Sequence, residues 1–232
     1  MDHQVVTQEQ WLTARRELLA KEKELTRLRD EVSKQRRELP WVKVDKTYNF
    51  DGPEGTLTLA DLFDGQSQLL IYHFMFDPKW EDGCKSCSFW ADNYQGIGPH
   101  LKARDVTLVT VSRAPLAKLE AFKRRMGWNF KWVSAFNTDF NYDFHVSFRP
   151  EDQQDGKVNY NFSQVHFPAA EAPGVSVFYR DSTGAIFHTY SSYSRGIDNL
   201  NGAYHYLDLV PKGRDEQDLK YAMSWLRHHD RY

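Results

Sequence analysis

Cysteine is almost absent from this chain, which has two cysteines in 232 residues. A chain of this length buries enough apolar surface to fold without disulfide bonds. The two cysteines, Cys84 and Cys87, are separated by only two residues. Structural disulfides are rare in reducing compartments, so a close pair there is either chemically reactive or half of a metal site.

An excess of positive charge is also absent, because 30 Lys and Arg face 32 Asp and Glu, for a formal net charge of −2. This balance argues against nucleic acid or an anionic lipid surface as the partner. The sequence also lacks an apolar run long enough for a membrane span, and its first residues lack the pattern of a signal peptide. We therefore expect a cytoplasmic protein with no nucleic-acid and no membrane partner.

The N-terminal segment has the pattern of one long helix. Residues 7–10, TQEQ, match a capping box and predict a helix over residues 8–37, which Pro40 ends. Apolar side chains recur at every seventh position, at Trp11, Leu18, Leu25 and Val32. This stripe predicts either a homodimer through the N-terminal helix or packing of the helix against its own domain. We expect a helical extension at residues 1–39 and a single domain at residues 40–232.

Strands and helices alternate in the middle of the chain. The segment QSQLLIYHFMF is the most continuous apolar stretch and predicts the central strand. A strand in DVTLVTVS, a helix over residues 115–126 and a strand at residues 132–135 follow it. This βαβα order implies parallel strands joined by right-handed crossovers.

The last third of the chain predicts three further elements. Residues 149–172 are polar and aperiodic, which indicates a long loop or a flap. The stretch GVSVFYRDSTGAIFHTYS alternates on both sides of DSTG and predicts a β-hairpin. Apolar residues at helical spacing predict a final helix over residues 216–227.

The two cysteines come directly after the predicted central strand, with Gly83 in the turn before a helix. At the first helical position, unpaired N–H groups and the helix dipole favour a thiolate at Cys84. A thiol so placed commonly has a pKa of about 3.5–7.5 instead of about 8.5. Lys85 adds a nearby positive charge. We therefore predict that Cys84 attacks and that Cys87, one turn later on the same side, resolves the mixed disulfide.

Two other uses of the pair remain open from the residues alone. In a thiol peroxidase, Cys84 would be oxidised to a sulfenic acid and condensed by Cys87. In a redox-sensing or zinc-binding interaction protein, the pair would be half of a tetrahedral zinc site. The other zinc ligands would then be histidines, for which the candidates are His73, His100, His145 and His188.

Longer stretches resemble known families. YNFDGPEGTLTLADLFDGQSQLLIYHFMF is similar to the entry of the peroxiredoxin-like branch of the thioredoxin superfamily. GCKSCSFWADN, VSRAPLAKLEAFKRRMGW, DFNYDFHVSF and LNGAYHYLDLVPKGRDE resemble the DUF899 family of predicted dithiol–disulfide oxidoreductases. The resemblance implies an α/β fold with a thioredoxin-like central mixed sheet flanked by helices, a long N-terminal helix and a polar insertion before the final hairpin.

The resemblance also implies a redox pair at Cys84 and Cys87 that needs no cofactor. The resemblance supplies no substrate. From the chemistry of the pair, we expect a protein or small-molecule disulfide or a peroxide as the substrate and a thiol as the electron donor.

Three more residues become candidates through the resemblance. Thioredoxins place a cis-proline opposite their cysteines, which suggests that Pro173 is cis and lies against Cys84, although a proline can also simply open a strand. Trp80 stands four residues before Cys84, whereas thioredoxins have tryptophan immediately before the first cysteine. Peroxiredoxins use an arginine and a Thr or Ser three residues before the cysteine. Residue 81 is glutamate here, and Arg113 is the candidate cation.

Overall fold

The N-terminal segment forms a single long helix. The structure, a computed structural model, describes residues 3–152 and 155–232 and divides into two compact units between Pro40 and Trp41. Helix α1 (Gln8–Glu38) makes up most of the first unit. The Thr7 hydroxyl accepts a hydrogen bond from the Gln10 backbone at 3.3 Å, and the Gln10 side chain accepts one from the Thr7 backbone at 3.0 Å. The capping box and the helix are confirmed.

No residue of α1, which is described over its full length, is buried. Trp11, the first residue of the seven-residue stripe, is 51% exposed. A homodimer through this stripe stays a prediction. None of the helices within residues 3–152 and 155–232 combines the length and the apolar character that crossing a bilayer requires.

The second unit is an α/β structure. Its elements in chain order are β1 (Val42–Lys43), β2 (Asn49–Gly52), β3 (Gly55–Thr58), α2 (Leu59–Leu62), β4 (Gln68–His73), α3 (Lys85–Ala91), α4 (Gly98–Lys102), β5 (Val106–Ser112), α5 (Leu116–Arg125), β6 (Trp132–Ser134), α6 (Phe140–Asp143), β7 (Val158–Tyr160), β8 (Ser163–Val165), β9 (Gly174–Arg180), β10 (Ile186–Tyr193) and α7 (Gly202–Leu207). Eight strands form one sheet in the order β1–β10–β9–β4–β5–β6–β2–β3.

Strand β4 lies in the middle of this sheet. It pairs parallel with β5 and antiparallel with β9, and β9 and β10 form the predicted hairpin. The β2–β3 hairpin and the short helix α2 precede β4, as the peroxiredoxin-like entry predicts. A parallel pair flanked by an antiparallel hairpin in one sheet confirms the thioredoxin-like assignment.

The two faces of β4 pack into different cores, because successive side chains of a strand point to opposite faces. Tyr72 and Phe74 join an aromatic cluster that also contains Cys87. Leu69 and Ile71 join a second cluster with residues of α2 and α6. The cysteines therefore lie on the Tyr72 face of the sheet.

The predicted final helix over residues 216–227 is wrong. The segment is a loop organised around the Glu216 carboxylate, which accepts hydrogen bonds from Tyr204 Oη at 2.9 Å and from Trp225 Nε1 at 2.7 Å. The Met223 backbone also donates to it at 2.9 Å, and Met223 has a left-handed φ of 67°. The spacing of the apolar residues suggested a helix, but these part-buried hydrogen bonds organise the segment as a loop.

The polar insertion at residues 149–172 is more structured than predicted. Strands β7 and β8 form a small hairpin within it. Glu171, near its end, pairs with Ser147 as an isolated β-bridge. The expectation of a long loop is therefore wrong for residues 158–165, where Val158 and Tyr160 are buried and hold the hairpin in place.

Candidate active site around Cys84 and Cys87

The loop from β4 to α3 brings both cysteines back to the end of the central strand. The Cys84 backbone N–H donates to the Met75 carbonyl oxygen at 3.1 Å. The Cys84 carbonyl oxygen accepts from the Ser88 N–H at 2.9 Å and from the Ser88 hydroxyl at 3.0 Å. Cys84 is thus the N-cap of α3 and not its first residue, one position from the prediction. Its sulfur still lies at the end of the helix with unpaired N–H groups.

Gly83 is required by close packing immediately before Cys84. A Cβ atom at this position would lie 2.8 Å from a ring carbon of Phe74 and 3.0 Å from one of Phe122. The Gly83 carbonyl oxygen accepts from His228 Nε2 at 2.8 Å. The turn that presents Cys84 is therefore held from the sheet side and from the C-terminal segment.

The two thiols have different environments. Cys84 is half-buried, whereas Cys87 is only 2% exposed. A hydrogen bond from the Cys87 thiol, helped by backbone N–H groups of residues 86 and 87, lowers the pKa of Cys84 from 9.0 to about 7 despite burial. Burial, together with the neighbouring Cys84, raises the pKa of Cys87 well above its usual value. The accessible sulfur is the better nucleophile at neutral pH, and the buried one stays protonated.

The end of β4 surrounds Cys87 with polar groups. The Met75 N–H donates to Cys87 Sγ at 3.5 Å. The Tyr72 hydroxyl, which is fully buried, donates to the Cys87 carbonyl oxygen at 3.5 Å. Met75 therefore contacts both cysteines through its backbone, which fixes their positions relative to the sheet.

Lys85 and Trp80 both lie around the pair. Lys85 Nζ donates to the carbonyl oxygen of Ser224 at 3.3 Å, so its charge is tied to the C-terminal segment. Trp80 packs against the aromatic cluster that also receives Cys84. Its carbonyl oxygen accepts from Lys118 Nζ at 2.6 Å. The structure therefore holds both residues beside the cysteine loop through contacts with other parts of the chain.

The guanidinium of Arg113, the predicted cation of the site, forms salt bridges with two carboxylates. Its guanidinium contacts Asp77 at 2.9 Å and Glu171 at 2.6 Å, and it also donates to the Tyr142 hydroxyl. Asp77 belongs to the loop between β4 and α3. Arg113 thus ties that loop to the end of the insertion, and its charge is balanced by two acids.

Glu171 is the most deeply buried member of this network, at 1% exposure. Burial raises its pKa from 4.5 to about 7, against the opposing effect of Arg113. The folded state then binds the proton more tightly than the unfolded state. The stabilisation from the Glu171 carboxyl group is fully present below about pH 4.5, and it is lost as the pH rises through about 7.

We expect Glu171→Gln to remove this pH dependence. The wild-type free energy of unfolding, relative to that of the variant, should fall by on the order of 2 kcal/mol between about pH 5 and about pH 8. Urea unfolding of both proteins across this range measures the difference. A difference that does not change with pH, or that rises with it, would contradict the raised pKa.

The cis assignment of Pro173 is wrong, because the peptide bond before it is trans. The chain before it is held extended: the N–H of Phe148 donates to the Ala170 carbonyl oxygen at 2.9 Å and that of Ala172 to the Val146 carbonyl oxygen at 2.8 Å. An extended segment enters β9 directly and needs no reversal at the proline. Gly174 is paired with His73, so Pro173 lies beyond the carboxyl end of β4, the end that leads to the cysteines.

The described residues provide no further ligands for a zinc site at the cysteine pair. Within residues 3–152 and 155–232, no group of three or more His, Cys, Asp or Glu side chains could hold a metal ion. His73, one of the four candidates, hydrogen-bonds Ser176 at 2.9 Å instead. It also lies on the other face of β4 from the cysteines, stacked against Phe144.

Comparison with protein-family models gives one match. The model of the family described as bacterial protein of unknown function (DUF899) matches residues 1–232. The chain belongs to the DUF899 family. No curated protein matches it. The family description assigns no activity, so the chemistry of this DUF899 protein has to be argued from its own side chains.

Several solved structures are similar to this DUF899 chain. Peroxiredoxin Q of Xanthomonas campestris is 16% identical, with 69% of this chain and 89% of that chain covered and a TM-score of 0.47. Peroxidoxin BcpB of Mycobacterium tuberculosis is 11% identical, with coverages of 70% and 93% and a TM-score of 0.45. The yeast mitochondrial 1-Cys peroxiredoxin is 16% identical, with coverages of 71% and 74% and a TM-score of 0.42.

Sequence reasoning missed three residues of the site. Tyr72 could have been found, because strand alternation places it on the same face as Phe74. Glu171 is one of several acids in a polar stretch, and no spacing distinguishes it. His228 is 145 positions from Gly83, the residue it contacts, and no local pattern indicates such a contact.

Proposed function

We propose that the protein is a thiol–disulfide oxidoreductase in which Cys84 attacks an oxidised sulfur and Cys87 resolves the mixed disulfide. The observation that supports this most strongly is the asymmetry of the pair: a half-buried sulfur with a lowered pKa and a buried sulfur with a raised one. The half-buried thiolate reacts first with a substrate. The protonated partner is then kept for the second step.

The proposed substrate is a protein or small-molecule disulfide, and a thiol is the proposed electron donor. The two sulfurs hold the two electrons that are transferred, so this step needs no further redox group. Thiol donors are abundant in a reducing compartment, which supports the cytoplasm as the location. The unburied stripe of α1 supports a helical extension that forms a homodimer.

A thiol peroxidase would use the same two sulfurs on a different substrate. Two features of the site favour the disulfide. Residue 81 is glutamate, which lacks the hydroxyl that a threonine or serine would offer to a peroxide. The guanidinium of Arg113 is already bound by Asp77 and Glu171.

The test compares the two substrates directly. The full chain is mixed with a thiol donor and either a small disulfide or hydrogen peroxide, and the consumption of each is followed. We expect the disulfide to be reduced faster than the peroxide and the reaction to depend on Cys84. Rapid loss of peroxide with a slow disulfide reaction would assign a thiol peroxidase. Turnover of neither would overturn the proposal.

A further inference from the structure

Cys87 has two hydrogen-bond donors on its sheet side, and one of them is a tyrosine side chain. Tyr72 is fully buried on the face of β4 that packs against α3. Its hydroxyl donates to the Cys87 carbonyl oxygen at 3.5 Å. The hydroxyl also lowers the pKa of the Cys87 thiol against the effect of burial, which favours the thiolate. The Met75 N–H is the second donor, 3.5 Å from the sulfur.

We propose that Tyr72 is a positioning residue for the resolving step, in which its hydroxyl donates to the Cys87 sulfur as that sulfur becomes a thiolate and attacks. This inference rests on the proposed function and assigns a residue to its second half. Cys84 has its own donors, the Cys87 thiol and the backbone N–H groups of residues 86 and 87. Tyr72 is therefore assigned to one of the two sulfurs only.

The resolving step needs such a donor because Cys87 is buried. A buried thiolate loses its hydration, and burial accordingly raises the pKa of Cys87. Fixed donors replace part of that hydration, and hydrogen bonds to a charged group are stronger than those to a neutral one. Tyr72 keeps its own proton, since burial raises its pKa well above the usual value.

The electrons and protons balance over two steps. The Cys84 thiolate attacks one sulfur of a disulfide, a Cys84–substrate disulfide forms, and the other half of the substrate leaves as a thiolate that takes up a proton. Cys87 then loses its proton to solvent and attacks Cys84 Sγ. The Cys84–Cys87 disulfide forms, and the second half of the substrate leaves as a thiolate. Two electrons pass from the protein dithiol to the substrate.

Tyr94 provides a matched control. It is buried at 5% exposure in the same cluster, and its ring meets that of Tyr72 edge-on at 5.2 Å. Among the residues that the structure describes, its hydroxyl has no hydrogen-bond partner. Tyr94→Phe therefore removes a phenol hydroxyl next to the site without removing a hydrogen bond to Cys87.

The experiment separates the two steps with one probe. Reduced protein is mixed with dithiobis(nitrobenzoate), which releases one coloured thiolate when Cys84 attacks and a second when Cys87 resolves. We expect Tyr72→Phe to slow the second release by about tenfold, the effect of one hydrogen bond to a charged group, and to leave the first within about twofold. The pH profile of the second release should shift upward in this variant only. Tyr94→Phe should leave both releases within about twofold of the wild type.

Two results would overturn the role of Tyr72: an unchanged second release in Tyr72→Phe, or an equal slowing in Tyr94→Phe. Slowing of both releases together in Tyr72→Phe would show a packing defect and would also reject the assignment. If the wild type releases only the first thiolate, the proposed dithiol exchange itself fails. That failure is visible before any variant is measured.

Discussion

Cys84→Ser is expected to abolish disulfide reduction, with a loss of more than about a thousandfold in turnover. Serine at this position has no thiolate at neutral pH, and the remaining thiol, Cys87, is buried with a raised pKa. Cys87→Ser should behave differently, because Cys84 can still attack but no sulfur remains to release the product. This variant should accumulate mixed disulfides at Cys84, which intact-mass measurements detect as a covalent adduct.

The two variants are controls for each other, since each loses one sulfur atom at the N-terminal end of α3. Equal loss of turnover without an adduct in Cys87→Ser would contradict the division of roles. An adduct that forms in Cys84→Ser but not in Cys87→Ser would reverse the roles.

Arg113→Met is expected to lower the free energy of unfolding by about 3–5 kcal/mol. The guanidinium is only 14% exposed and is the cation that pairs with both Asp77 and Glu171, which are 11% and 1% exposed. Removal of the cation leaves two buried carboxylates without a counter-charge. Protonation of Glu171 relieves part of this cost, so the loss should be larger at about pH 8 than at about pH 5. Urea unfolding at both values measures it.

Arg149→Met is the matched control, since Arg149 also stacks on Tyr142, with its guanidinium carbon 3.8 Å from the ring centre. Its salt bridge is with Asp139, which is 51% exposed, and an exposed pair contributes less than about 1 kcal/mol. If Arg113→Met also lowers the free energy of unfolding by less than about 1 kcal/mol, the buried network contributes little. If the double variant Arg113→Met/Glu171→Gln has a higher free energy of unfolding than Arg113→Met alone, the unpaired charge of Glu171 explains part of the loss.

The fold was predictable where a local sequence pattern specifies the element. The periodicity of α1, the apolar run of β4 and the turn residues of the β9–β10 hairpin each indicated the element that forms. The segment at residues 216–227 was not predictable, because the contacts of Glu216 decide its shape and apolar spacing alone suggests a helix. The segment before Pro173 is extended because it pairs with residues 146–148, and no local sequence pattern indicates this pairing.

The candidate site was partly predictable for the same reason. The position of Cys84 and Cys87 after a central strand, with Gly83 before them, predicted a lowered pKa for the Cys84 thiol, which agrees with the structure. The surroundings of the pair come from distant segments, since Lys85 contacts Ser224 and the Gly83 carbonyl oxygen accepts from His228. Contacts over such separations depend on the folded chain and leave no spacing in the sequence.

The most direct test is the rate of alkylation of each cysteine in the reduced protein as a function of pH, with the modified residue identified by mass spectrometry. At neutral pH the modification should occur at Cys84, with an apparent pKa of about 7. That pKa should rise toward the ordinary value in Cys87→Ala, which lacks the donating thiol. If the pKa of Cys84 is instead that of an unperturbed thiol, or if Cys87 is modified first, the assignment of the two sulfurs is wrong.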